Sequence, residues 1–173
     1  RLEGFRQVRA AAAAARAIPQ EARAEIAALA ERVQAYVARL QAADSEHPQV
    51  AEWQEVTALG EALLREEEGG LPGVDWAALR RQLASNYNTL GSALDDQDDK
   101  TAALAAFERA IALQPDFAMW QRNRAGTLID LGRLDAATET IAGARALEPD
   151  APRLAQLEAQ LARAREKAGA AGG

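Results

Sequence analysis

The sequence predicts an all-α fold, a solenoid of antiparallel helix pairs, and three observations carry that prediction. Apolar residues make up 49% of the chain, but much of that share is alanine, with aromatics at only 5% and β-branched residues sparse. That mixture favours helix over strand. Apolar positions recur at spacings of three and four through most of the chain, the signature of amphipathic helices. The C-terminal half resembles itself at an offset of 34 residues, a period at which short helical units stack into solenoids.

The elements follow in order. Residues 1–17 read as an alanine-rich helix, broken near 18–20 by Pro19, which suits either the end of one helix or the start of the next. Ile26, Leu29, Val33, Tyr36 and Leu40 then form one stripe on a helix over 20–43. With so few heptads, the stripe is better suited to packing within the chain than to a coiled-coil dimer seam, which stays as the alternative. Asp44, Ser45 and Pro48 mark a turn before a third helix carrying Val50, Trp53, Val56, Leu59, Leu63 and Leu64. The glycines and proline of residues 68–74 predict a loop and a subdomain boundary. Asp75 is placed to cap a fourth helix with Trp76, Leu79, Leu83, Tyr87, Leu90 and Leu94 on one face. After the DDQDD break at 95–99, helices are predicted over 100–113, 118–131, 134–147 and 151–167. The chain is thus divided into an N-terminal helical segment (1–73), a repeat and capping-helix segment (74–167) and a disordered tail (168–173).

The repeat is anchored by Pro115 and Pro149, which end the similar phrases AFERAIALQPD and TIAGARALEPD. Aligned on them, Leu94 pairs with Leu128, Ala103 with Ala137, Phe107 with Ile141, Ala110 with Ala144, and Leu113 with Leu147. With Tyr87, the Leu90-Gly91 pair, Ala103, Phe107, Ala110 and Pro115, residues 84–117 resemble a tetratricopeptide repeat. Residues 118–151 resemble a second unit that departs at Gln121 and Arg124 and recovers at Gly132, Asp135, Ala136, Ala137 and Pro149. Small residues at such positions let helices approach closely, while Phe107 and Ile141 fill the space between them. The resemblance implies a right-handed superhelix. Stacks of this kind need about three units for stability, so the N-terminal helices are expected to act as degenerate layers. Residues 151–167, with Leu154, Leu157 and Leu161 on one side, are expected to form the cap.

The same resemblance implies a concave groove lined by the first helix of each unit, able to take an extended peptide or a partner helix. Its positions here are Asn88, Ser92 and Asp95, then Met119, Arg122, Asn123, Gly126 and Ile129, then Arg153 and Gln156. Ser85 and Asn88 stand where a clamp for a C-terminal carboxylate would need cations, so a chaperone-tail clamp is not expected, although Asn123 and Arg153 fit it in part.

Function classes narrow accordingly. A net charge of −6 and a pI near 4.9 oppose the electrostatics of nucleic-acid binding. Cysteine is absent, which removes disulfides and thiolate chemistry and leaves cytoplasm, the preferred reading, and periplasm both open. No stretch approaches the ~18 apolar residues of a membrane span, so a soluble chain is expected. The lone histidine, His47, sits in a polar turn, and Ser45, Ser85 and Ser92 are in no nucleophile-elbow context. Gly69, Gly70 and Gly73 lack the Lys-Ser or Lys-Thr that follows a phosphate loop. Asp95, Asp96, Asp98 and Asp99 lack the terminal glutamate of a calcium loop. Neither enzymatic activity nor a cofactor nor a metal is expected. The leading expectation is a protein-binding scaffold, a segment of a larger bacterial protein. A small secretion-type chaperone and a homodimer assembled through the N-terminal helices are the alternatives.

Overall fold

The structure, a computed structural model, describes residues 20–43, 46–65 and 75–171. The helix expected over 1–17, the capping residues Asp44 and Ser45 and the loop expected over 68–74 lie outside the described residues, as does the Ile26 side chain. Among the described residues there are seven helices and no strand: α1 (Gln20–Ala42), α2 (Val50–Leu64), α3 (Trp76–Asp96), α4 (Lys100–Leu113), α5 (Ala118–Asp130), α6 (Leu134–Leu147) and α7 (Pro152–Ala171). Each packs chiefly on its neighbours in sequence, and α5 also meets α3 and α7. The molecule is a tetratricopeptide-like helical solenoid.

Local chemistry sets the helix ends. The Asp75 carboxylate accepts from Ala78 N at 2.9 Å and Asp99 from Ala102 N at 3.1 Å, each satisfying a donor the first turn leaves free. Between α3 and α4 the chain reverses through Asp98, whose φ is +63°; between α5 and α6 it does so through Gly132, at +68°. These residues are 34 apart and the turns bond alike: Asp99 N donates to Leu94 O at 3.0 Å, and Arg133 N to Leu128 O at 2.9 Å. Glycine adopts this conformation freely, and aspartate is among the few side chains that tolerate it. At the far end, α7 continues to Ala171, so residues 168–171 are helical rather than part of the expected tail. Ala168, Ala170 and Ala171 extend an already formed helix at little cost.

One core joins the N-terminal layer to the first repeat. Leu29 and Tyr36 of α1 and Trp53, Val56 and Leu63 of α2 are buried together with Leu90, Leu94, Ala103 and Phe107. A second core takes Leu104 from α4, Leu128 and Ile129 from α5, Ala137 and Ile141 from α6, and Leu154, Leu157 and Leu161 from α7. Helix α4 therefore contributes to both, which makes the stack continuous. Close approach depends on two glycines. A Cβ on Gly91 would fall 2.6 Å from the Phe107 ring, and one on Gly60 would fall 2.6 Å from Leu83 Cδ1.

The faces between successive layers share a register. Asn86, Trp120 and Leu154 are 34 apart, and each is buried to within a few per cent. Asn86 Nδ2 donates to the Tyr36 hydroxyl at 2.7 Å and Gln82 Nε2 donates to Asn86 Oδ1 at 3.0 Å, pinning α1 to α3 with a satisfied buried polar group. In the next layer, Trp120 packs with Ala84 and Ala110 and against Phe117, ring centres 4.5 Å apart. Its indole Nε1 has no hydrogen-bond partner. Trp120 thus gives the start of the second unit a buried aromatic, at the register of Asn86 rather than that of Tyr87.

A second pin crosses the first layer. Arg109 of α4 donates through Nε and Nη2 to both Glu61 carboxylate oxygens of α2, at 2.6 and 2.8 Å. The Arg109 hydrogen bonds hold the Glu61 carboxyl below its ordinary value of 4.5, against partial burial. Burial pushes the neighbouring Tyr87 phenol up, and the Glu61 charge adds to that. Because the folded-state pKa of Glu61 is the lower one, its stabilisation is fully present above pH 4.5 and fades as pH falls through the folded value. We expect Glu61→Gln to lower stability at neutral pH and to flatten the loss of stability below that pH. Urea titrations of both proteins across the acid range measure this, and parallel pH profiles would contradict it.

Candidate functional site

One face of the stack, formed by α3, α5 and α7, carries two cavities. The first, about 250 Å³, is lined by Ser92, Asp95 and Asp96 of α3, by Asn123, Gly126, Thr127 and Asp130 of α5, and by Arg153 and Gln160 of α7, with Phe107 at its base. The second, about 290 Å³, is lined by Ile129, Asp130, Gln160, Arg163, Ala164 and Lys167. Asp130 and Gln160 belong to both, so the two form one trough across the three helices.

The register explains this arrangement. Ser92, Gly126 and Gln160 are successive at 34 residues, as are Asp95, Ile129 and Arg163. Equivalent positions on stacked helices fall side by side, so a row of the repeat becomes a strip of the surface. Gly126 keeps the middle of that strip low: a Cβ there would meet only Leu157 Cδ2, at 3.8 Å.

Hydrogen bonds hold the walls. Asn123 Nδ2 donates to Asn88 Oδ1 at 2.7 Å, joining α5 to α3. The buried Thr127 hydroxyl lies 3.4 Å from Asp95 Oδ1 and 3.3 Å from Asn123 O. At the acidic end, Lys100 Nζ donates to the Asp95 carbonyl at 3.0 Å and lies 3.1 Å from its carboxylate, with Asp98 and Asp130 at 3.9 and 3.8 Å. The Asp95 bond, aided by the surrounding carboxylates, raises the Lys100 pKa, so this ammonium stays charged at any ordinary pH.

The residues that the resemblance assigned to a groove are distributed unevenly. Ser92, Asp95, Asn123, Gly126 and Arg153 line the first cavity. Asn88 stands behind it, bonded to Asn123. Arg122 Nη1 is bound to Glu148 at 2.5 Å with its side chain only 16% exposed, so its charge is engaged with the end of α6. Ile129 is 8% exposed and belongs to the second core, touching the trough only in the second cavity. Met119 is 37% exposed and Gln156 is exposed, but neither lines a cavity. Asp130, Gln160, Arg163 and Lys167, which are not among the expected groove positions, line the trough. Carrying the 34-residue register forward from Ser92, Asp95 and Asp96 finds the first three.

Among the described residues, no group of histidine, aspartate and glutamate side chains is placed to hold a metal ion. His47 lies in an exposed turn, far in sequence from the trough.

Comparison with known proteins bears on the same span. Residues 96–161 match the family profile described as Tetratricopeptide repeat; they run from the end of α3 into the middle of α7. Among solved structures, the crystal structure of MamA aligns at 20% identity with a TM-score of 0.40, over 69% of this chain and 88% of that one. No curated protein matches the sequence.

Proposed function

We propose, for a chain whose residues 96–161 are tetratricopeptide repeats, that it acts as a non-catalytic scaffold holding an extended segment of another protein in the α3–α5–α7 trough. Repeats of this family are protein-interaction scaffolds in general, and the observation that supports this trough is its continuity across three stacked layers. The polar lining of the first cavity argues against the chaperone alternative, which would want an apolar surface for a sequestered ligand. Burial of Leu29 and Tyr36 within the chain's own core argues against α1 as a dimer seam. No helix among the described residues is long and apolar enough to cross a membrane.

Peptides selected from a random displayed library against the full chain test the reading. Ser92→Trp with Gln160→Trp, which fills the trough from two walls, is expected to weaken the selected peptides at least about tenfold while leaving the helical circular dichroism signal intact. Peptides that bind the filled variant equally well, or that protect α4 and α6 from hydrogen exchange and leave α3, α5 and α7 unprotected, would contradict it.

A further inference from the structure

Packing does not require a glycine at position 126. The residue lies in the interior of α5, and among the described glycines only Gly132 has a positive φ. A Cβ on Gly126 would meet only Leu157 Cδ2, at an ordinary 3.8 Å, whereas one on Gly60 or Gly91 would come to 2.6 Å from a neighbour. Glycine within a helix is less stable than alanine, so the fold by itself favours a side chain here. Gly143 and Gly169 also have open space around them, but both are exposed and neither lines a cavity. Gly126 is the one of these three that lines the first cavity, where a side chain would take up room a ligand could use.

The walls around it mix signs at close quarters. Asp95, Asp96, Asp130 and Arg153 line the same cavity. Asp95 and Asp130 meet Lys100, while among the described residues Asp96 and Arg153 take part in no ion pair. A charged ligand group of either sign therefore meets a like charge together with an opposite one. A carboxamide avoids that conflict: its oxygen accepts from Arg153 and its NH2 donates to a carboxylate, with Ser92, Asn123 and Gln160 able to do either. At about 250 Å³ the cavity is smaller than the ~300–1,000 Å³ of a pocket for a drug-sized ligand, which suits a single side chain. Resting on the groove reading above, we propose that the first cavity takes an asparagine or glutamine side chain of the bound segment, and that Gly126 is left bare to admit it.

Peptides selected against the full chain supply the probe. They are expected to share an asparagine or glutamine. Changing that residue to glutamate, lysine or methionine is expected to weaken fluorescein-labelled synthetic copies at least about tenfold by anisotropy, because a site built to hydrogen-bond a polar group rejects the analogue that lacks it. Gly126→Ala is expected to raise the guanidinium midpoint and yet weaken binding, and Gly126→Leu to weaken it at least about tenfold. Gly143→Ala should also raise the midpoint but leave binding unchanged, which separates lost space from a stiffer helix. Selected peptides with no shared amide side chain, equal affinity of the glutamate or lysine copy, full binding by both Gly126 variants, or a lower midpoint for Gly126→Ala would each overturn the proposal. If Ser92→Trp with Gln160→Trp still weakens the peptides in any of those cases, the groove reading stands. Equal binding to that filled variant removes both.

Discussion

Phe107→Ala is expected to destabilise the protein by ~3–5 kcal/mol, the range for removing a buried phenylalanine. The ring lies at the junction of α1, α2, α3 and α4 in the core that couples the N-terminal layer to the first repeat, and it sits directly on Gly91. The reciprocal change, Gly91→Ala, puts a methyl 2.6–2.9 Å from three ring atoms. A rigid ring that is 2% exposed has nowhere to move, so overpacking should cost ~1–3 kcal/mol. Gly126→Ala is the internal control: it also replaces a glycine within a helix, but the new methyl meets only Leu157 at 3.8 Å, so it should stabilise by ~0.5–1 kcal/mol through propensity alone. Combining Gly91→Ala with Phe107→Leu should cost less than the sum of the two single changes, because the smaller side chain vacates the space the methyl needs. Guanidinium unfolding of this set supplies the comparison, and additive costs would show that the Gly91–Phe107 contact is not what sets the spacing between α3 and α4.

Leu157→Ala should cost ~2–5 kcal/mol, and its effect should be local. Leu157 is fully buried where α7 meets both α5 and α6. In a stack held by nearest-neighbour contacts, loosening the last layer leaves distant layers largely intact. Amide exchange should therefore quicken in α7 and α6 while α1 and α2 keep their protection. The change also loosens the wall that carries Arg153 and Gln160, so peptide binding should weaken although no groove residue has been altered. Uniform loss of protection from α1 to α7 would mean that the chain unfolds as one unit and that α7 is no separate cap.

Much of the fold was legible because it rests on periodicity. Spacings of three and four located α2 to α6 to within a residue or so, Asp75 was readable as a cap from its place before Trp76, and Pro115 and Pro149 exposed the repeat. What stayed hidden shares one cause: matching residues by chemical likeness conceals positions where unlike residues serve one purpose. Asn86, Trp120 and Leu154 occupy one buried register, satisfied by a hydrogen bond in the first layer and by apolar contact in the others. Asp98 makes the turn that Gly132 makes. Gln121 stands where the repeat usually has an aromatic, while the buried aromatic of this helix is Trp120, one residue earlier and in another register. For the trough, helical spacing indicated a face but not which side chains are free on it. Arg122 is drawn to Glu148 and Ile129 into the core, while Asp130, Gln160, Arg163 and Lys167 come forward, outcomes that depend on partners far away in sequence.

Helices α1 and α2 form a layer within one chain, stacked on the first repeat through a shared core. Light scattering on the intact chain, beside a fragment beginning at Asp75, would show whether that layer serves one chain or two. The expected result is a monomer of 18.5 kDa and a fragment that loses helix content, because removing α1 and α2 strips Tyr36 from Asn86 and uncovers Leu90 and Phe107. A dimer of the intact chain that gives way to a well-folded monomeric fragment would contradict it, and would make the N-terminal helices a device for assembly.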